Sequence, residues 1–180
     1  MTSFSWGDIP IPPDPGFGEW TKLPSAVFPS APGWYLARSL AVAGRWNIDQ
    51  EGEEPLPWRT SGVIYIGTSW RLSDRLEQLR RTALGTAWSH PCSARYRDIT
   101  RPYLAEDGLI DSSLDMEVCW ALAGTDPPAG RDDASKRCRA AERAFRESIE
   151  AAIVADTIAH RLVTGCQWRL LNYIDRNTLT

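Results

Sequence analysis

The chain has 180 residues, of which 43% are hydrophobic and 24% are charged, and this composition excludes a disordered or fibrous protein. Its net charge of -3 at pH 7 excludes the strongly basic bulk of a nucleic-acid coating protein, but it does not exclude a local basic cleft. The four cysteines include no Cys-x-x-Cys pair, so neither a zinc cage nor a redox dithiol is predicted. Because no apolar run is long enough to cross a bilayer and the first residues do not form a signal peptide, we expect a cytoplasmic protein without a membrane partner.

The N-terminal segment is rich in proline. Residues 1–32 carry seven of the 13 prolines, and proline fixes φ and removes a hydrogen-bond donor, which excludes a helix or an inner strand. We predict an arm that wraps the surface of the domain and is held by Trp6, Phe17 and Trp20. The remaining residues, 33–180, are expected to form one domain.

Five elements are predicted after the arm. The pattern indicates strands over 33–42, 61–67 and 114–122, and helices over 70–84 and 135–164. The polar and acidic segment 44–60 lies between the first two strands as a loop. This order predicts an α+β fold, in which a small antiparallel sheet of three strands is flanked by helices.

Both helices carry polar residues close to their apolar faces. On the first helix the apolar stripe is Leu72, Leu76, Leu79 and Ala83. At 100° per residue, Arg75 lies about 60 to 70° from the centre of this stripe, at the edge of the buried face. On the second helix Glu150 lies roughly 110° from the centre of the stripe, whereas Glu142 lies nearly in its middle, between Phe145 and Ile149.

Several of these residues match a known pattern. Gly33-Trp34-Tyr35 on the first strand, Tyr65-Ile66-Gly67 on the second, and Arg75 on the helix that follows resemble the signature of the GIY-YIG nuclease superfamily. Glu150 in Glu-Ala-Ala-Ile-Val and Asn172 in Leu-Leu-Asn are similar to the glutamate and asparagine of that family. The resemblance covers residues 33–172 and implies a metal-dependent endonuclease on a GIY-YIG-like fold.

The resemblance implies a role for each residue. Glu150 would hold Mg²⁺ or Mn²⁺, cations that prefer carboxylate oxygen and are often held by one or two protein carboxylates. Arg75 would clamp the scissile phosphate with its planar fork. Tyr35 would be the general base and Tyr65 would lie beside the phosphate, because neighbouring cations stabilise a phenolate near neutral pH. Asn172 would orient phosphate or water through its amide.

Other residues are candidates with separate roles. Gly67 of the second motif and Arg71 are expected to contact substrate, and His90 is a candidate substrate contact and proton carrier. Glu142 is the alternative metal ligand, since a carboxylate in an apolar stripe needs an explanation. The sequence departs from the family in that 29 residues separate Tyr35 from Tyr65, which makes 44–60 an insertion.

The expected partner is DNA. Two arginine-rich segments, at 71–101 and 131–146, flank the predicted site, and arginine contacts to phosphate supply most non-specific affinity. Because no accessory DNA-binding motif is visible, specificity would come from the insertion, the arm, a homodimer or a partner subunit. Two alternatives stay open: a binding module with a degenerate site, and an enzyme that uses the same pocket on a small molecule.

Overall fold

The computed structural model describes residues 11–39, 56–60, 62–83, 86, 116–124, 129–164 and 170–173. Its strands are β1 (Thr21–Lys22), β2 (Gly33–Ser39), β3 (Val63–Ser69) and β4 (Met116–Leu122). Its α-helices are α1 (Leu72–Ala83) and α2 (Asp133–Thr164), and short 3-10 turns occur at Leu23–Ser25, Pro57–Arg59 and Leu171–Tyr173. The predicted α+β class and element order are therefore present.

The sheet is antiparallel, with the strand order β1-β4-β2-β3. β2 is central, and Tyr35 pairs with Gly67 of β3 on one side and with Trp120 of β4 on the other. An irregularity between Ala37 and Arg38 shifts the register of the β2–β3 pair, so that Arg38 pairs with Val63. β3 is the outer strand, and its free edge faces away from β2.

The expected number of strands was wrong, because the proline-rich arm adds one. Thr21 and Lys22 pair with Val118 and Glu117 of β4, which makes a fourth, two-residue strand at the outer edge. Proline excludes long inner strands but leaves room for a short edge strand between Pro15 and Pro24. The arm also packs Phe17 edge-on against Trp58, with ring centroids 6.1 Å apart. Trp6 lies outside the described residues.

α1 covers one face of the sheet. The predicted stripe is buried, with Leu72, Leu76 and Leu79 fully inaccessible to solvent. These leucines pack with both site tyrosines, Tyr35 and Tyr65, in one hydrophobic cluster. The tyrosine rings are therefore part of the core between β2, β3 and α1.

α2 covers the opposite face, but only with its second half. Ile153 and Val154 pack on Leu36 and Ile66, whereas Phe145, on the same predicted stripe, is 60% exposed. Most residues in the first turns of α2 are exposed, so an apolar period there does not produce burial. No helix in the described part of the chain combines the length and apolarity required to span a bilayer.

β4 is covered on both faces of the sheet. Met116 and Val118 pack in the cluster on the α1 side, while Cys119 packs in the cluster on the α2 side. Because each face of the sheet is covered, the side chains that alternate along β4 enter two different hydrophobic clusters. Neither set faces solvent as a whole. Glu117 is tolerated there because Arg38 donates to it through Nε at 2.7 Å.

A buried ion pair attaches the turn at 57–59 to α2. Asp156 is 2% exposed, and both its oxygens accept hydrogen bonds from Arg59, at 2.8 and 2.6 Å. The Trp58 indole N–H donates to the same carboxylate at 2.8 Å. Burial alone would raise the pKa of Asp156, but these donors outweigh burial and hold the pKa below its ordinary value.

We predict that Asp156→Ala lowers the free energy of unfolding by about 3 kcal/mol, because it leaves the Trp58 and Arg59 donors without their acceptor. Urea unfolding followed by circular dichroism measures the change. Asp74→Ala is the matched control, since the Asp74 contacts with Arg71 and Ser73 are both exposed, and we expect a change below about 0.5 kcal/mol. Equal losses in the two variants would contradict the anchoring role of Asp156.

Candidate functional site

The candidate site lies at the free edge of β3, where side chains from both faces of the sheet meet. β2 and β3 contribute Tyr35 and Tyr65 from one face, and α1 contributes Arg75 from the same side. α2 contributes Glu150, although this helix packs on the opposite face. The helices can meet there because no further strand lies beyond β3 in the described sheet.

Gly67 allows the two tyrosine rings to lie together. Its partner across the strands is Tyr35, and a Cβ atom on Gly67 would lie 2.6 Å from the Tyr35 ring and hydroxyl. The Tyr35 ring therefore extends across Gly67 and reaches Tyr65, two residues before Gly67 in β3. The two rings stack with centroids 5.9 Å apart and an interplanar angle of 25°. The spacing in Tyr-Ile-Gly therefore has a steric cause, since any side chain at 67 would displace the Tyr35 ring.

Arg75 joins the two phenol groups. Partial burial lowers the pKa of the Arg75 guanidinium, but its interactions and hydrogen bonds with Tyr35 and Tyr65 outweigh burial and raise the pKa above its ordinary value. Its Nη1 also donates to Oε1 of Gln78 at 3.3 Å. The guanidinium is thus placed beside two phenol oxygens, and its charge favours their ionised form.

Glu150 completes the group. Burial and the neighbouring carboxylate of Glu147 raise the pKa of Glu150 from its ordinary value of 4.5 to about 7. Arg75 and the backbone N–H of Thr68 act in the opposite direction and favour the ionised form. Glu150 is therefore a carboxylate whose charge is only partly compensated by its surroundings.

A cleft opens beside these groups between α1 and α2. Its volume is about 470 Å³, and it is lined by residues of the β3–α1 junction, α1 and α2: Thr68, Ser69, Trp70, Arg71, Asp74, Arg75, Gln78, Arg143, Arg146 and Glu147. Four arginines and two carboxylates give this cleft, which we call the arginine cleft, an excess of positive charge. Such a cleft can bind an anion with several charged groups.

Two groups in the arginine cleft were not among the predicted site residues. The Arg146 guanidinium stacks over Trp70 at 3.7 Å from the ring centroid, although Arg146 is only 3% exposed. Glu147 lies one helical turn before Glu150 and lines the cleft. The i, i+3 spacing of Glu147 and Glu150 places both carboxylates on the same side of α2, and this pattern could have identified Glu147. The Trp70–Arg146 contact joins segments far apart in sequence, so no local pattern predicts it.

The other predicted site residues lie in different places. The Asn172 amide pairs with the β3 edge: its Oδ1 accepts from the Ile66 N–H at 3.0 Å and its Nδ2 donates to the Ile66 carbonyl. Arg71 lines the cleft and is exposed, 3.5 Å from Asp74. Glu142 lines a separate pocket on α2 and is absent from the lining of the arginine cleft. His90 lies outside the described residues.

Among the described residues, no group of three or more His, Cys, Asp or Glu side chains is arranged to hold a metal ion. A cation bound here would have Glu150 as its main protein ligand, with Glu147 nearby. No family model, curated protein or solved structure matches this chain. The arrangement of its own side chains is therefore the basis for any functional conclusion.

We predict that Glu150→Gln stabilises the protein at pH 8 and has little effect at pH 5. The raised pKa means that, as pH increases from 4.5 toward 7, the unfolded chain releases this proton while the folded chain keeps it. Folding stability is therefore lost over this range, and the neutral glutamine avoids the loss. Melting temperatures from pH 5 to 8 measure the difference.

The control for this experiment is Glu19→Gln, which removes an exposed carboxylate far from the site. Its pH profile should follow that of the wild type. If Glu150→Gln also followed the wild-type profile, Glu150 would have an ordinary pKa. The inference that the folded protein only partly compensates the charge of Glu150 would then be wrong.

Proposed function

We propose that this protein is a metal-dependent endonuclease that hydrolyses phosphodiester bonds in DNA, with a site like that of the GIY-YIG nucleases. The observation that carries the proposal is the convergence of Tyr35, Tyr65, Arg75 and Glu150, from four elements, beside the arginine cleft. These residue types are the ones that phosphodiester hydrolysis requires: a proton acceptor, a cation for the developing charge, and a hard oxygen ligand.

Arg75 is the phosphate-binding residue in this proposal. Its guanidinium is held by the phenol oxygens on one side and by Gln78 on the other, so its fork is oriented before substrate arrives. A planar guanidinium offers two parallel N–H donors to a phosphoryl group, and the charge that develops on the oxygens strengthens these bonds in the transition state.

Proton acceptance belongs to the tyrosine pair. Arg75 lies beside both phenol oxygens and favours their ionised form, which can take a proton from an attacking water. The resemblance gives this role to Tyr35, whose ring is fully buried, whereas Tyr65 retains 9% exposure. Single Tyr→Phe variants decide which phenol oxygen receives the proton.

The chemistry of Glu150 fits a divalent cation. A carboxylate with a pKa near 7, next to Glu147, gains stability when a cation favours its ionised form. Mg²⁺ or Mn²⁺, when bound, would polarise the phosphoryl oxygens. Since Mg²⁺ keeps several waters and is often held by one or two protein carboxylates, the absence of a larger described cluster is compatible with it.

A second candidate function is a DNA-binding module that does not cleave. It is favoured by the lack, among the described residues, of any group of three or more His, Cys, Asp or Glu side chains arranged to hold a metal ion. The arginine cleft serves both candidates equally, so cleavage assays and binding assays separate them.

We predict that the protein cleaves supercoiled plasmid with Mg²⁺ or Mn²⁺ and not with chelator. Glu150→Gln and Arg75→Lys should each lower the cleavage rate about 100-fold or more. Glu150→Gln removes the anionic metal ligand, and Arg75→Lys keeps the positive charge but removes the planar pair of N–H donors. One of Tyr35→Phe and Tyr65→Phe should produce a loss of about the same size.

Arg137→Lys and Glu19→Gln are the matched controls, since both positions are exposed and away from the cleft. Activity that survives Glu150→Gln but is lost in Glu142→Ala would move the metal ligand to Glu142. Folded protein that never cleaves but binds DNA would support the binding module, and protein that does neither would support an enzyme for a small molecule.

We predict that Arg71→Ala and Arg143→Ala each weaken binding to duplex DNA and each lower the slope of log K against log salt by about one. Both side chains line the arginine cleft, where a phosphate would displace counterions. Fluorescence anisotropy titrations between low and moderate salt, in chelator, provide the slopes. Arg137→Ala is the control on the same helix, and an equal effect there would show that the contact is not made in the cleft.

A further inference from the structure

A second pocket lies next to the arginine cleft. Its volume is about 350 Å³, and its walls come from the arm at Pro13–Pro15, the end of β4 at Leu122–Gly124, and the first half of α2. Trp34 and Phe145 supply aromatic rings, 6.4 Å apart and nearly perpendicular. We call it the aromatic pocket. Its volume lies within the range of small-molecule pockets, about 300–1,000 Å³.

Two polar atoms on α2 have no partner. The Oε2 atom of Glu142 and the Nε atom of Arg146 are both buried, and neither has a hydrogen-bond partner. Both residues line the aromatic pocket, and they lie four residues apart on one face of the helix. Buried polar groups are nearly always satisfied, so an acceptor and a donor left open at one pocket point to a ligand that completes them.

The two open atoms restrict the chemistry of that ligand. A hydrocarbon would leave both without a partner. A cationic side chain could pair with Glu142 and with Asp14, which also lines the pocket, but it offers no acceptor to the Nε–H of Arg146. A neutral, flat group that carries a donor beside an acceptor satisfies both atoms and can stack on the exposed ring of Phe145. A nucleobase has these properties, and a carboxylate accepts well from an exocyclic amino group.

Arg146 connects the pocket with the arginine cleft, because it lines both cavities. Its guanidinium stacks on Trp70 in the cleft, and its carbonyl accepts the indole N–H of Trp34 at 3.0 Å in the pocket wall. A nucleotide whose phosphate lies in the cleft would therefore have its base near the pocket entrance.

We propose that the aromatic pocket receives one unpaired nucleobase with an exocyclic amino group, from the strand whose phosphates lie in the arginine cleft. Glu142 accepts from the amino group, Arg146 donates to a neighbouring ring acceptor, and Phe145 stacks on the base. This inference rests on DNA binding at the proposed site, but it does not require cleavage. It gives Glu142 a role in recognising a base that is separate from the role of Glu150.

The test uses fluorescein-labelled 11-mers of stable abasic nucleotides with one central position X, which is dA, dC, dG, dT or a further abasic nucleotide. Binding is measured by anisotropy in chelator, so that no cleavage occurs. The wild type should bind the dA, dC and dG oligonucleotides about tenfold more tightly than the abasic one. The dT oligonucleotide should lie between them, because thymine stacks but has no amino group.

Glu142→Leu should bring the dA, dC and dG oligonucleotides to the level of dT, and Phe145→Ala should weaken every base relative to the abasic site. Phe145 is 60% exposed, so its truncation leaves the core intact. Arg143→Ala, from the cleft, is the matched control and should weaken all five oligonucleotides by the same factor.

Equal affinity of the wild type for all five oligonucleotides would overturn the pocket assignment while leaving cleft binding intact. A loss in Glu142→Leu that is equal for all five would overturn it as well, since Glu142 would then act on the backbone or the fold. Binding to none of them would overturn this inference, whereas the proposed function is overturned only if the plasmid and duplex assays fail as well. Base preference without any plasmid cleavage would support the pocket and contradict only the nuclease.

Discussion

The free edge of β3 is the constraint on which the rest of the site depends. An edge strand presents unpaired backbone groups, and proteins cover such edges to prevent further pairing. Here side chains provide the cover: Asn172 pairs with Ile66, Arg161 donates to the Val63 carbonyl, and Glu150 lies at the N–H of Thr68. Because α2 covers this edge, Glu150 lies close to Arg75, which contacts the two tyrosines. The same contacts that protect the β3 edge therefore also assemble the candidate site.

Much of this arrangement was predictable from local pattern. The apolar stripe of α1 placed Arg75 at the edge of the buried face, and it is partly buried there. The glycine of Tyr-Ile-Gly was recognisable from the motif, and in the fold it lies directly against the Tyr35 ring. These features depend on residues close in sequence, or on one strand pairing with its neighbour, and such patterns carry most of the information available in a single sequence.

The features that sequence reasoning missed depend on distant segments. The arm adds a strand only because β4 offers it an edge, and Phe145 in the first half of α2 is exposed although it belongs to the apolar stripe. Helical period alone placed Glu150 well away from the centre of its stripe. The strand order decides that this side of the helix meets the β3 edge, and strand order is a global property that period does not contain.

Arg146 lines both cavities and is in contact with a tryptophan in each. Its position is fixed by contacts at both ends: the backbone carbonyl holds the indole of Trp34, and the guanidinium rests on Trp70. Burial lowers the pKa of this guanidinium, while Glu142 and Glu147 favour its charge from opposite cavities. Arginine keeps its charge even under these conditions, so the buried cation must be balanced from one side or the other. Glu142 and Glu147 share this task from opposite sides, so loss of either carboxylate would leave the buried cation balanced from one side only.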